Sequence, residues 1–178
     1  GAIIARNGNL YTVATACHVT ANAAQEKDIM IITPDDEEHS TKAMSLRKYQ
    51  GTDLCTILFS SEKPYTVPTL SYKSLEIGDA VQVSGWSLAT EDVPAALRFT
   101  EGVVTGATKS LGVDGYSLIY TTKAPTLPGM SGGPILINNQ LVGIHGRAER
   151  APEVIADGKR LATTYSLGMP LKILESDR

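Results

Sequence analysis

Leu127-Pro128-Gly129-Met130-Ser131-Gly132-Gly133-Pro134 is a serine held between glycines, with prolines on both sides. A serine that acts as a nucleophile needs its hydroxyl clear of the backbone and nearby N–H groups aimed at one point. Glycines permit backbone conformations that residues with a Cβ resist. The N–H groups of Gly129 and Ser131 can then converge on a developing oxyanion. The same stretch also reads as a glycine-rich turn between two strands. The choice between these readings rests on whether a base and an orienting acid lie upstream.

Upstream the chain is a series of short strands. Ala2–Ala5 and Leu10–Thr15 flank Arg6-Asn7-Gly8-Asn9, and Asn7-Gly8 is a strong hairpin signal. His18 follows directly, just past the second strand. Asp28–Thr33 reads as a strand, Pro34–Glu38 as a solvated acidic turn, and Thr41–Leu46 as a returning strand. Asp53–Phe59 is a largely apolar run that suits a buried strand with an acid at its entrance. Ala80–Trp86, Phe99–Thr105 and Tyr116–Thr122 continue the pattern. After the serine, Ile135–Ile137 and Leu141–His145 flank Asn138-Asn139 as a hairpin. Arg147–Arg160 is polar and aperiodic and reads as an exposed loop. Thr163–Leu167 is a last strand, and Pro170–Leu174 starts a short C-terminal helix. Many short strands between Gly, Pro, Asn and Asp predict an all-β barrel or sandwich.

The chemistry-bearing residues thus come in the order His18, Asp53, Ser131, each at a strand edge or in a glycine-rich loop. A serine hydroxyl is a weak nucleophile near neutral pH and needs a base, for which histidine is suited. The base needs an acid to fix its tautomer and stabilise its charged form.

With these residues in hand, the chain resembles the chymotrypsin-like (trypsin-fold) serine peptidases. Thr15-Ala16-Cys17-His18-Val19 is similar to the family's histidine motif, Asp53-Leu54-Cys55-Thr56-Ile57-Leu58 to its aspartate motif, and Gly129–Pro134 to its serine motif. The order of the three matches as well. Tyr116–Glu149 is particularly similar to short trypsin-like peptidase domains of bacteria, including those of cyanobacterial multidomain proteins. The resemblance implies two six-stranded β-barrels, one over about 1–61 with His18 and Asp53 and one over about 75–170 with Ser131, meeting at a cleft. It implies Ser131 as nucleophile, His18 as general base, Asp53 as its orienting acid, and the N–H groups of Gly129 and Ser131 as the oxyanion hole.

Two departures from the family pattern carry information. Met130 stands where animal trypsins have an aspartate that pairs with a freed N-terminus, so that activation switch is not expected. The six-cysteine framework of secreted relatives is missing. The two cysteines, Cys17 and Cys55, flank His18 and Asp53. They read first as buried free thiols, with a disulfide tying the two strands as the alternative.

By the same resemblance, specificity lies in Ala124–Pro128 and Gly143–Ala148. No aspartate stands in the first segment, which argues against a Lys or Arg preference. Thr126 and His145 match the threonine and histidine that bind the substrate acid in bacterial glutamyl endopeptidases, and viral 3C-type peptidases place a histidine there to read glutamine. With Gly146 and with Arg147 adding charge, these residues imply Glu, Gln or Asp before the cut bond. The competing reading of His145 is a core histidine bonded to backbone.

The bulk numbers are compatible with this. The chain has 178 residues, 42% of them hydrophobic, and a net charge of −3 from 16 basic and 19 acidic residues. There is no basic patch for nucleic acid and no apolar run near the ~20 residues that span a bilayer. No cofactor or metal is expected; the expected partner is a protein or peptide substrate. Gly1-Ala2-Ile3-Ile4 reads as a cut or processed start, which implies a longer parent protein with regulatory domains. The compartment is not legible. The leading expectation is a serine endopeptidase. The alternative is a latent or non-catalytic recognition module within a larger assembly, with a non-peptide acyl hydrolase third.

Overall fold

Alternating and β-branched residues make the chain almost wholly extended. The structure, a computed structural model, describes residues 1–21, 28–108, 112–154 and 160–175. Among these are thirteen strands and four single 3-10 turns.

The first half carries β1 (Ala2–Asn7), β2 (Leu10–Ala16), β3 (Asp28–Ile32), β4 (Glu38–Lys42), β5 (Arg47–Lys48) and β6 (Leu54–Ser60). They pair as a four-stranded sheet, β1-β2-β6-β5, and a separate ribbon, β3-β4. The expected six strands are present, but in two pieces. The return strand begins at Glu38 rather than Thr41, because Thr41 to Leu46 bends through a 3-10 turn, Ala43–Ser45. The acidic turn is solvated as expected, and Lys63 pairs with both Asp35 and Glu37 there.

The second half carries β7 (Thr69–Leu70), β8 (Ala80–Ser87), β9 (Ala96–Ala107), β10 (Leu118–Thr122), β11 (Pro134–Ile137), β12 (Gln140–Val154) and β13 (Arg160–Pro170). Their order is β11-β8-β9-β10-β13-β12-β7, and a further β11–β12 pairing closes the first six into a barrel. The β11–β12 turn uses Asn138 and Asn139, both with positive φ (49° and 61°), the mirror-image turn that matches strand twist. Arg147 to Arg160 is not the loop the sequence predicts. β12 runs on to Val154 and β13 starts at Arg160, and the two pair along this stretch. Residues 155–159 lie outside the described residues. The C-terminal helix is a single 3-10 turn, Leu171–Leu174.

One apolar cluster joins the halves. Ala14, Ala16 and Leu54 of the first pack with Tyr116, Ile144 and Leu171 of the second, all nearly or fully buried. Burying a side chain the size of Leu54 is worth about 1.5–3 kcal/mol. This contact fixes β2 and β6, and hence the residues at their ends, against β12.

Candidate active site

β2 is lined with small buried residues, Ala14, Thr15 and Ala16, so it sits deep against the second half. At its end the chain turns into the 3-10 turn Cys17–Thr20, where the Thr20 hydroxyl donates to the Cys17 carbonyl at 2.8 Å. This turn carries His18, whose side chain is partly exposed. β6 pairs with β2 in the register Ala16↔Leu54, which puts Asp53 beside His18. The Cys17 N–H donates to the Asp53 carbonyl at 2.6 Å.

Asp53 grips His18 twice. Its Oδ1 accepts the His18 backbone N–H at 2.8 Å, and its Oδ2 lies 2.5 Å from His18 Nδ1. The His18 side chain is 45% exposed while that of Asp53 is 12% exposed, so the imidazole is open to solvent and the carboxylate is shielded. A charge-assisted bond in such shielded surroundings is stronger than its exposed counterpart. Cys17 and Cys55 form a disulfide with Cα atoms 5.0 Å apart, within the range a disulfide spans. The expectation of free thiols is therefore corrected. The register Thr15↔Cys55 brings the two side chains together just beneath the His18–Asp53 pair.

The serine loop is shaped by its glycines. Gly129 and Gly132 have φ of +96° and +83°. A Cβ at Gly129 would stand 2.7 Å from the Leu88 N and 2.8 Å from the Trp86 carbonyl oxygen. Gly132 lies against Thr15 and, at 3.1 Å from a hypothetical Cβ, against the Ala16 N, so the loop abuts the segment leading into His18. The Gly132 N–H donates to the His145 carbonyl at 2.7 Å, and the His145 N–H donates to the Gly133 carbonyl at 2.8 Å. Among the described residues, the N–H groups of Gly129 and Ser131 donate to nothing else, and the Ser131 hydroxyl makes no hydrogen bond to His18. In a site without substrate such bonds are commonly long and tighten on binding. Met130 is 1% exposed, packs against Gly85, and its sulfur accepts the Leu127 N–H at 3.3 Å. The loop is thus held by an apolar peg.

Behind the loop lies a polar cluster. The Thr126 hydroxyl is 3.2 Å from that of Ser166, and the Tyr120 hydroxyl is 2.5 Å from His145 Nδ1. His145 is 2% exposed, and burial first, then the charge on His18, holds its pKa down to about 4, so it is neutral under ordinary conditions. Its partner is a tyrosine side chain, not the backbone partner of the core-histidine reading. Burial pushes the Tyr120 hydroxyl well above its usual range. Arg147 turns to the Tyr116 ring, its guanidinium carbon 5.0 Å from the ring centre, and Gly146 packs on the same ring.

Sequence reasoning missed four residues around the site. Tyr120 and Ser166 sit in strands and read only as strand formers. Asp114 and Tyr116 flank Gly115 and read as a turn and a strand start. The signal for Tyr116 is Gly146, a glycine inside a strand, which often marks a close approach.

The family model described as "Trypsin-like peptidase domain" matches residues 1–144. Among solved structures, an HtrA-type protease, AlgW, with a tripeptide is similar at a TM-score of 0.69 and 21% identity, covering 98% of this chain and 52% of that one. The same protease with a decapeptide gives 0.67 and 21%, covering 99% of this chain and 51% of that one. At this identity the likeness shows the fold, and the chain spans about half the length of the structures it matches. No curated protein matches the chain in sequence. The chain belongs to the trypsin-like peptidase domain family and has its all-β, chymotrypsin-like fold.

Proposed function

We propose that this chain is an endopeptidase working through His18, Asp53 and Ser131 at the cleft between lobes of about 1–61 and 75–170. The observation that carries the reading is the double grip of Asp53 on His18, at the backbone N–H and at Nδ1. With Nδ1–H committed to Asp53, Nε2 is the free, basic nitrogen and takes the Ser131 proton. Ser131 Oγ then attacks the substrate carbonyl, and the oxyanion is held by the uncommitted N–H groups of Gly129 and Ser131. His18 passes the proton to the leaving amine, and water releases the acyl group by the reverse sequence.

Thr126 and His145 read the side chain before the cut bond, and the structure favours one member of the Glu, Gln, Asp set. In the tautomer in which Tyr120 O–H donates to Nδ1, neutral His145 carries its proton on Nε2 and offers a donor without charge. That suits a carboxamide oxygen. A carboxylate there is desolvated without a cation to offset the cost, because Arg147 is stacked on Tyr116. A library of peptides differing at this position tests the preference. The expected order is Gln above Glu by about tenfold, as one buried unpaired charge contributes, with apolar residues lower still. A preference for Lys, Arg or aromatic residues contradicts it. One observation favours the second reading, a latent module: the Ser131 hydroxyl is not bonded to His18. No turnover of any peptide, with a folded chain, supports that reading instead.

A further inference from the structure

We propose that Tyr116 is a positioning residue for the catalytic acid, and that Gly146 is a glycine so that the Tyr116 phenol can reach it. The proposal rests on the reading of Asp53 as that acid. Tyr116 belongs to the second half of the chain and Asp53 to the first. The Tyr116 hydroxyl donates to Asp53 Oδ2 at 2.5 Å, the same oxygen that faces His18 Nδ1. No other side chain of the second half is bonded to this carboxylate among the described residues.

The route of the phenol is cut through β12. A Cβ at Gly146 would overlap Tyr116 Cε1 and lie 2.6 Å from both Cζ and the hydroxyl oxygen. Gly146 is not among the residues with positive φ. Its lack of a side chain is therefore required for space and not for backbone conformation. The Arg147 guanidinium also lies over the ring, 5.0 Å from its centre. The ring thus touches two successive residues of β12. Burial, followed by the bond to Asp53, raises the phenol far above its usual range, so the hydroxyl keeps its proton and remains a donor.

The backbone leading to Tyr116 repeats the contact. The Asp53 N–H donates to the Asp114 carbonyl at 2.7 Å. Asp114 presents that carbonyl from a left-handed conformation (φ 58°) in the 3-10 turn Val113–Gly115. Gly115 (φ +80°) sits so close to Thr52 that a Cβ there would lie 2.8 Å from the Thr52 Cβ. The turn and Tyr116 therefore form a bracket that holds both the main chain and the carboxylate of Asp53 across the cleft. His18 already holds both carboxylate oxygens. The phenol adds a second donor at Oδ2 from the other half of the chain, which holds that oxygen in place against the imidazole.

Tyr116→Phe removes the hydroxyl and keeps the ring, its stacking and its fit to Gly146. The expected result is a fall in kcat of about tenfold to a hundredfold with KM within about twofold, the pattern of an interaction used in the transition state only. The low-field proton resonance of His18 Nδ1–H moves or broadens in the same variant, measured by NMR on the folded protein without substrate. Gly146→Ala, which keeps the hydroxyl in the sequence but pushes the ring, and the hydroxyl with it, away from Asp53, perturbs the resonance in the same way. An unchanged resonance in Tyr116→Phe overturns the proposal, whether or not KM and kcat change, because then the ring serves packing alone. If wild-type protein turns over no peptide, the catalytic reading fails separately, and the resonance still decides whether Tyr116 positions Asp53.

Discussion

Every polar atom of Asp53 is engaged, whereas the N–H groups of Gly129 and Ser131 have no partner among the described residues. The Asp53 N–H, carbonyl and both carboxylate oxygens are bonded to Asp114, Cys17, His18 and Tyr116. Beneath them the Cys17–Cys55 disulfide ties the same strand ends. The serine loop is instead held by the burial of Met130 and by glycines that fit where no Cβ can. The acid–base half is over-determined by polar bonds. The serine loop is shaped by packing and by backbone bonds of Met130, Gly132 and Gly133, which leave the Gly129 and Ser131 N–H groups without a partner among the described residues.

Asp53→Asn breaks the first half most severely. An asparagine must turn its NH2 toward either His18 or one of the other donors, so the imidazole loses its correct tautomer. The expected loss in kcat is about 10⁴-fold, measured by peptide hydrolysis; activity within tenfold of wild type would contradict the assignment. Gly129→Ala breaks the other half. The added Cβ meets the Leu88 N and Trp86 O backbone, and φ is unfavourable for alanine. Loss of one oxyanion donor lowers kcat by about 10²–10³-fold. The His18 Nδ1–H resonance should stay unchanged, which separates this loss from that of Asp53→Asn.

Reducing the disulfide tests whether it, too, supports the acid–base half. It closes a separation of 38 residues, so its removal is expected to cost about 3–4 kcal/mol of stability. Denaturant unfolding with and without reductant measures this, and coincident curves contradict it. A smaller effect comes from the pocket. His145 is held from 6.5 down to about 4 by burial. Between these values the unfolded chain binds a proton that the folded chain refuses, so stability is full above about pH 6.5 and falls as pH drops toward 4. The loss is at most about 3 kcal/mol, and His145→Gln flattens the slope.

The pairing of His18 with Asp53 was legible because each sits where a strand meets a turn, and motif order is independent of side-chain detail. The Asn7-Gly8 hairpin was legible with a shift of one residue: the turn itself is Gly8-Asn9, with φ of +60° at Gly8. The extension of β12 and β13 was not, because residues such as Arg147, Ala148 and Glu149 are only half-buried and show no clean alternation. The disulfide was not, since two cysteines carry no pairing information by themselves. Tyr116 was not, because its role depends on space left by Gly146, thirty residues later in β12.

The joint action of His18, Asp53 and Ser131 is tested most directly with a fluorophosphonate, which phosphonylates an activated serine hydroxyl with loss of fluoride. Intact-mass measurement should show one label on wild type and none on Ser131→Ala. Labelling of His18→Ala should be slower by about 10³-fold or more. An unlabelled wild type, or equally fast labelling of His18→Ala, would contradict the assembled site.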